Sequence, residues 1–302
     1  MPHAPTAPLA QPANPADIAA LVRRENWPTR LAMLRRATEQ QLEIAMSSPA
    51  WADMGEQRTA LLADIQAYMA ERFAWPGELQ DLILKAYQED ASQNDVRALL
   101  DFYGSPDGQW LVRRFQNALD KVEQKLQLDA RTLITHWIDG LSTAPAAAPY
   151  EPKPATIWRP ESTHATQCAH ALNTLVKPDW SRQLDGIKIA AIGRISRLIN
   201  SLPDGEARRT AFLSRLKHEI TYEAFEPTLV AALCAELSEP ELVRGLAIEQ
   251  SPARQALKPI ESRLAQSFGP RILAWQEKTL MPGIGKRMQD ARRAAVGQSP
   301  AR

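Results

Sequence analysis

Three residues within one short stretch have side chains that can bind a metal or activate a thiol: His164, Cys168 and His170. His164 and Cys168 stand four apart, so a helix sets them on one face, while His170 falls off that face. Such donors can capture copper or nickel. No second Cys/His group lies at structural-zinc spacing, and solvated or capping histidines are the competing reading. Cys168 beside a histidine also invites a thiol-nucleophile reading, which needs a depressed thiol pKa and an orienting third group. His218-Glu219, and His136 near Asp139, place acids beside bases, but neighbours on a helix point to different faces. No Gly-x-Ser-x-Gly, phosphate loop or His-Glu-x-x-His pattern occurs. The expectation is no catalytic residue and no cofactor, with His164, Cys168 and His170 as a candidate metal set. Cys168 and Cys234 are the only cysteines. They read as two buried thiols, with pairing as the alternative.

The aromatic residues raise a question of recognition. Trp27, Trp110, Trp137, Trp180 and Trp275 fall on or beside apolar helical stripes and read as core. Trp51, Trp75 and Trp158 stand in loops or at helix ends, next to proline or small residues, where exposed aromatics serve as binding anchors. Packing of loops and linker onto the helices is the alternative role. Tyr103 joins the candidate binding residues, or is a polar-tipped core side chain.

The elements that must position these residues are helices. The chain has 302 residues with only 13 glycines and many Ala, Leu, Arg and Gln, which favours helix, and no stretch shows strand alternation. Ser142 to Thr163 is rich in proline and alanine and reads as a linker. On either side, one pattern recurs. Trp27 precedes Leu31, Leu34, Leu42 and Ala45, and Trp180 precedes Leu184, Ile187, Ile195 and Leu198 at the same helical spacings. Leu62, Ile65 and Met69 match Leu213, Leu216 and Ile220. Ser92 to Asp95 matches Ser238 to Glu241 as a helix start, in which Glu241 permits a full capping box and Asp95 a weaker one. Ser105-Pro106 matches Ser251-Pro252 as cap and first turn. Pro259 stands opposite Arg113 and predicts a kink or a displaced helix start in the second half.

The fold expected is therefore all-α. It comprises two similar bundles of about five or six helices, residues 15–141 and 164–282, joined by a Pro/Ala-rich linker over 142–163. A disordered segment, 1–14, precedes them and a basic flexible tail, 283–302, follows.

The run Phe102-Tyr103-Gly104-Ser105-Pro106-Asp107-Gly108-Gln109 resembles the signature of a small helical domain of proteobacterial envelope proteins, domain of unknown function 2059. Leu79 to Leu119 looks like its core, and Thr228 to Leu264 like a second, eroded copy. There Ile248, Glu249 and Arg254 replace Phe102, Tyr103 and Gly108. The resemblance implies a helical fold and an exported protein whose leader has been trimmed, and no reaction. Independently of it, Ser105 caps, Pro106 opens the helix, Gly108 admits a neighbouring backbone, and Phe102 and Trp110 anchor the turn.

Composition limits the function classes. The formal net charge is +1, without the clustered basic excess of a nucleic-acid binder. No segment is long and apolar enough to span a membrane. The leading expectation is a non-enzymatic, periplasmic protein that binds another protein, in an immunity-type or adaptor role. A cytoplasmic location is the alternative compartment. A carrier of an apolar small molecule, and a hydrolase or metal-binding protein, are the alternative functions.

Overall fold

The computed structural model describes residues 11–46, 51, 54–143, 150, 158–199 and 204–297. Among them there is no strand, only an isolated bridge between Pro12 and Ser92. The expected all-α class is what the structure has. In chain order the helices are α1 (Pro15–Arg24), α2 (Trp27–Met46), α3 (Glu56–Arg72), α4 (Glu78–Asp90), α5 (Gln93–Gly104), α6 (Pro106–Trp110) and α7 (Asn117–Thr143). Then follow α8 (Thr163–Leu175), α9 (Lys177–Ile199), α10 (Gly205–Glu219), α11 (Tyr222–Glu236), α12 (Glu239–Gln250), α13 (Pro252–Trp275) and α14 (Met281–Gly297). A π-helical segment, Leu111–Gln116, joins α6 to α7, and another, Gln276–Leu280, joins α13 to α14.

The helix starts follow from local chemistry. Ser105 accepts from the amide of Gly108 and Ser251 from that of Arg254, each with proline opening the first turn. A Cβ on Gly108 would lie 2.0 Å from the Phe102 carbonyl oxygen, so only glycine allows this tight turn. Asp95 completes a reciprocal capping box with Ser92, better than the weaker version expected of it. Pro259 neither ends α13 nor moves its start, which stays at Pro252.

The chain forms two compact units that do not follow the linker. The first comprises residues 1–113 with 248–302, and the second residues 114–247. The boundaries expected from sequence, 15–141 and 164–282, therefore differ from the observed ones. In the first unit α1 packs on α2, α4 and α5, α13 on α4 and α5, and α14 on α3. In the second, α7 packs on α9, α10 and α11, and α8 on α9 and α11. Each unit is completed by a long helix from the other side of the linker.

The apolar stripes give the reason. On α7, Ala118, Val122, Leu126, Ala130 and Ile134 recur every four residues and are all buried. From α13 through the π segment to α14 the buried apolar side chains are Leu257, Leu264, Phe268, Trp275, Leu280 and Ile284. Trp275 and Leu280 stand five apart across the π segment, whose i to i+5 bonding absorbs the extra residue and keeps the stripe on one side. Burying these six side chains contributes roughly 10–15 kcal/mol before entropy, at ~2 kcal/mol each. Net stabilities are about 5–15 kcal/mol, so the first unit depends on this helix.

Two terminal segments differ from expectation. Residues 283–297 form α14 rather than a flexible tail. Ile284 is buried, Arg287 pairs with Asp64 at 3.1 Å, and Arg287 also lies over Tyr68. Lys286, Arg292 and Arg293 are exposed residues of a packed helix, and Arg287 is half-buried. Residues 11–14 are also ordered: the Gln11 carbonyl accepts from Gln93, and Asn14 caps α1. Residues 1–10 and 298–302, and most of the linker, lie outside the described residues.

Candidate functional site

The structure brings His164 and Cys168 together but leaves His170 exposed. The third member of the group is Cys234 of α11, and a ligand atom from each of the three lies within 4.8 Å of the others. Cys168 and Cys234 form a disulfide, which corrects the expectation of two buried thiols. The bond joins α8 to α11, two helices that pack directly on each other. Cys168 is fully buried, and His164 and Cys234 are half-buried at the rim. The Nε2 atom of His164 lies 2.8 Å from the Leu237 carbonyl oxygen. A carbonyl only accepts, so Nε2 is the donor, and in the neutral tautomer Nδ1 is the bare nitrogen.

The proposed aromatic anchors fare differently. Trp51 is 6% exposed and lies beneath the guanidinium of Arg292, so it is packed rather than presented. Trp75 is half-buried against the core of the first unit, and Trp158 is half-buried. Tyr103 is 3% exposed. Among the tryptophans read as core, Trp137, Trp180 and Trp275 are buried, while Trp27 and Trp110 are half-buried.

Tyr103 belongs to the main convergence of titratable groups in the first unit, which sequence reasoning missed. Its phenol donates to Glu261 of α13. Arg254 reaches the other oxygen of Glu261 at 2.5 Å and Glu249 at 3.3 Å. Arg254 and Glu249 are both buried. Burial opposes the Arg254 charge, but Tyr103, Glu261 and Glu249 outweigh it and hold the guanidinium ionised. Burial, then the charge of Glu261, pushes the Tyr103 phenol well above its ordinary value. Arg254 occupies the position matching Gly108, and Glu249 that matching Tyr103. Arg254 and Glu261, seven apart on α13, were a usable signal for one polar helix face, though not for its burial, and Glu249 joins them from α12.

A second group lies at the end of α1. Glu25 is 5% exposed; its Oε2 accepts from the Trp27 indole at 2.8 Å and from the Tyr87 phenol. Burial raises the Glu25 carboxyl above its usual value, while Arg30 and the bonds from Tyr87 and Trp27 work against the rise. Nothing local in the sequence marks this group, because Tyr87 comes from α4. In the second unit, Trp180 instead bonds Glu123 of α7, a carboxyl also raised by burial. Gln183 and Gln127 donate to that same carboxylate at 2.9 and 3.1 Å. Pro178 and Leu233 stand where Glu25 and Tyr87 would be by the sequence match.

Chemically, the phenols of Tyr103 and Tyr87 bind the acids Glu261 and Glu25. Each donates to or accepts from a partner within the unit, so their geometry rigidifies a core.

Comparison with protein-family models, with curated proteins and with solved structures finds no match for this chain.

Proposed function

We propose that this is a non-enzymatic helical protein of the bacterial envelope that acts by binding another protein. The observation that carries the reading is the closure of the first unit's polar network. Tyr103, Glu261, Arg254 and Glu249 satisfy one another, as do Glu25, Tyr87 and Trp27. An acid–base site needs those groups turned toward a substrate; here they hold α1, α4, α5 and α13 together. The disulfide supports an oxidising compartment, where such bonds persist. The motif resemblance to an exported helical domain points the same way.

For the contact surface, the candidates are large apolar side chains left in solvent. Leu273 is 58% and Met281 52% exposed, on one continuous helical rod. They stand eight apart, about one α turn plus one wider π turn, which returns them to the same side. An immunity-type or adaptor role fits such a surface equally.

The test is affinity capture of the full chain from its native host, beside a Leu273→Asp/Met281→Lys variant with an unchanged urea midpoint. The expected result is one stoichiometric protein partner held by the wild type and retained at least tenfold less by the variant. A wild-type chain that holds no partner and turns over a substrate overturns the reading.

A further inference from the structure

We propose that, once the Cys168–Cys234 disulfide is reduced, Cys168, Cys234 and His164 form a three-ligand site for zinc(II). This goes beyond the binding role above and does not depend on it.

The donors are preassembled by two packed helices. His164 and Cys168 sit one turn apart on α8, Cys234 faces them from α11, and their ligand atoms lie within 4.8 Å of one another. The two cysteine Cα atoms are 5.9 Å apart. Tetrahedral zinc with Zn–S distances of about 2.3 Å sets its sulfurs about 3.8 Å apart and its sulfur and nitrogen ligands about 3.5 Å apart. Side-chain rotation at the two cysteines opens the sulfurs to that separation without moving either helix.

The surroundings suit a metal ligand. The Leu237 carbonyl fixes the proton on Nε2 of His164 at 2.8 Å and leaves Nδ1 its lone pair. Zinc-bound histidines hold their second nitrogen in this way, by donation to a carbonyl or carboxylate. The Cys234 sulfur lies 3.6 Å from the His164 carbonyl oxygen. A disulfide sulfur has no proton to donate, so this contact becomes a hydrogen bond only in the thiol form. His164 and Cys234 are half-buried, which leaves the rim open for the cation and for water as fourth ligand. Two thiolates and one neutral imidazole cancel the charge of a divalent cation, so the half-buried assembly is neutral. A monovalent ion would leave a net charge, at a desolvation cost. Charge therefore favours a divalent ion, and the two sulfurs and one nitrogen match the ligands of tetrahedral zinc.

The chemistry balances with a dithiol as reductant. The dithiol transfers two electrons and two protons to the disulfide and closes to its own disulfide, leaving two thiols on this chain. Zinc binding then displaces both thiol protons to solvent. The covalent bond and the metal are alternatives, so α8 and α11 are clamped by one or the other.

The test uses the full chain, reduced by a phosphine without air and titrated with zinc against a chromophoric chelator. Cobalt(II) serves as a spectroscopic stand-in. Reduced wild type is expected to bind one ion per chain, with a thiolate-to-cobalt charge-transfer band and release of two protons. The oxidised chain is expected to bind none at this site. His164→Ala, which can still form the disulfide, is expected to bind at least about tenfold more weakly. Equal affinity of the reduced His164→Ala and wild-type chains overturns the proposal. So does a reduced wild type that keeps its helicity and two free thiols yet shows no charge-transfer band. If reduction unfolds the chain, restoration of helicity by zinc supports the site, and failure to restore it overturns the site.

Discussion

The Tyr103 phenol donates to Glu261, a residue 158 positions away, and so ties α5 to α13 inside the first unit. Hydrogen bonds to charged groups contribute about 1.5–3 kcal/mol. Tyr103→Phe is expected to lower stability by about 2 kcal/mol while the helix content stays the same. Urea unfolding followed by circular dichroism checks this. An unchanged midpoint would mean that the phenol does not hold α13 in place.

Glu25 has the opposite energetic sign, because burial lifts its carboxyl above the unfolded value. The folded chain then holds the proton more tightly than the unfolded chain does. The cost of the buried charge is full above the folded pKa and disappears as pH falls toward the unfolded value. Glu25→Gln keeps an oxygen for Tyr87 and Trp27 and removes the charge. Relative to wild type, the glutamine variant is expected to be most stable near neutral pH, with the advantage shrinking as pH falls. Urea midpoints across a pH series measure it, and an advantage that grows on acidification contradicts the account.

In the second unit, Arg114 grips Glu241 through Nε at 2.6 Å and Nη2 at 3.0 Å. These bonds, then those from the Ser238 amide and hydroxyl, hold the Glu241 carboxyl down to about 2 from an ordinary 4.5. A depressed carboxyl stabilises fully above the unfolded value and loses that contribution as pH falls from about 4.5 to about 2. Arg114→Met is expected to cost about 1 kcal/mol at neutral pH, as an accessible bidentate pair does. The gap to wild type should close over that acid window. A gap independent of pH would place the effect in the Arg114 stem or in its 2.6 Å bond to the Glu236 carbonyl.

What could be read from sequence was local. The Ser105-Pro106 and Ser251-Pro252 helix starts depend on a hydroxyl, a fixed φ and the next three amides, all within one turn. The stripes at Leu31, Leu184, Ile65 and Leu216 depend only on helical period. The Cys168–Cys234 bond was not legible as a pairing, because it depends on α8 lying against α11, 66 residues on. Unit membership was not legible either. The α7 and α13 stripes say that a face is buried, but leucine and alanine do not name the helices that cover it. In 283–297, Lys286, Arg287, Arg292 and Arg293 dominate the composition and hide the buried position Ile284. Trp51 looked like a loop aromatic because Arg292, which covers it, lies far along the chain.

Each unit is closed by a long helix from the other side of the linker. Inserting a protease site between Ala146 and Ala147, and cutting the purified full chain there, tests it most directly. The two fragments are expected to co-elute as a one-to-one complex and to separate only in denaturant. After separation, neither fragment should give the wild-type cooperative urea transition on its own, because the first lacks α13 and α14 and the second lacks α7. Fragments that part in native buffer, each keeping a cooperative transition, would contradict the account and restore 15–141 and 164–282 as independent bundles.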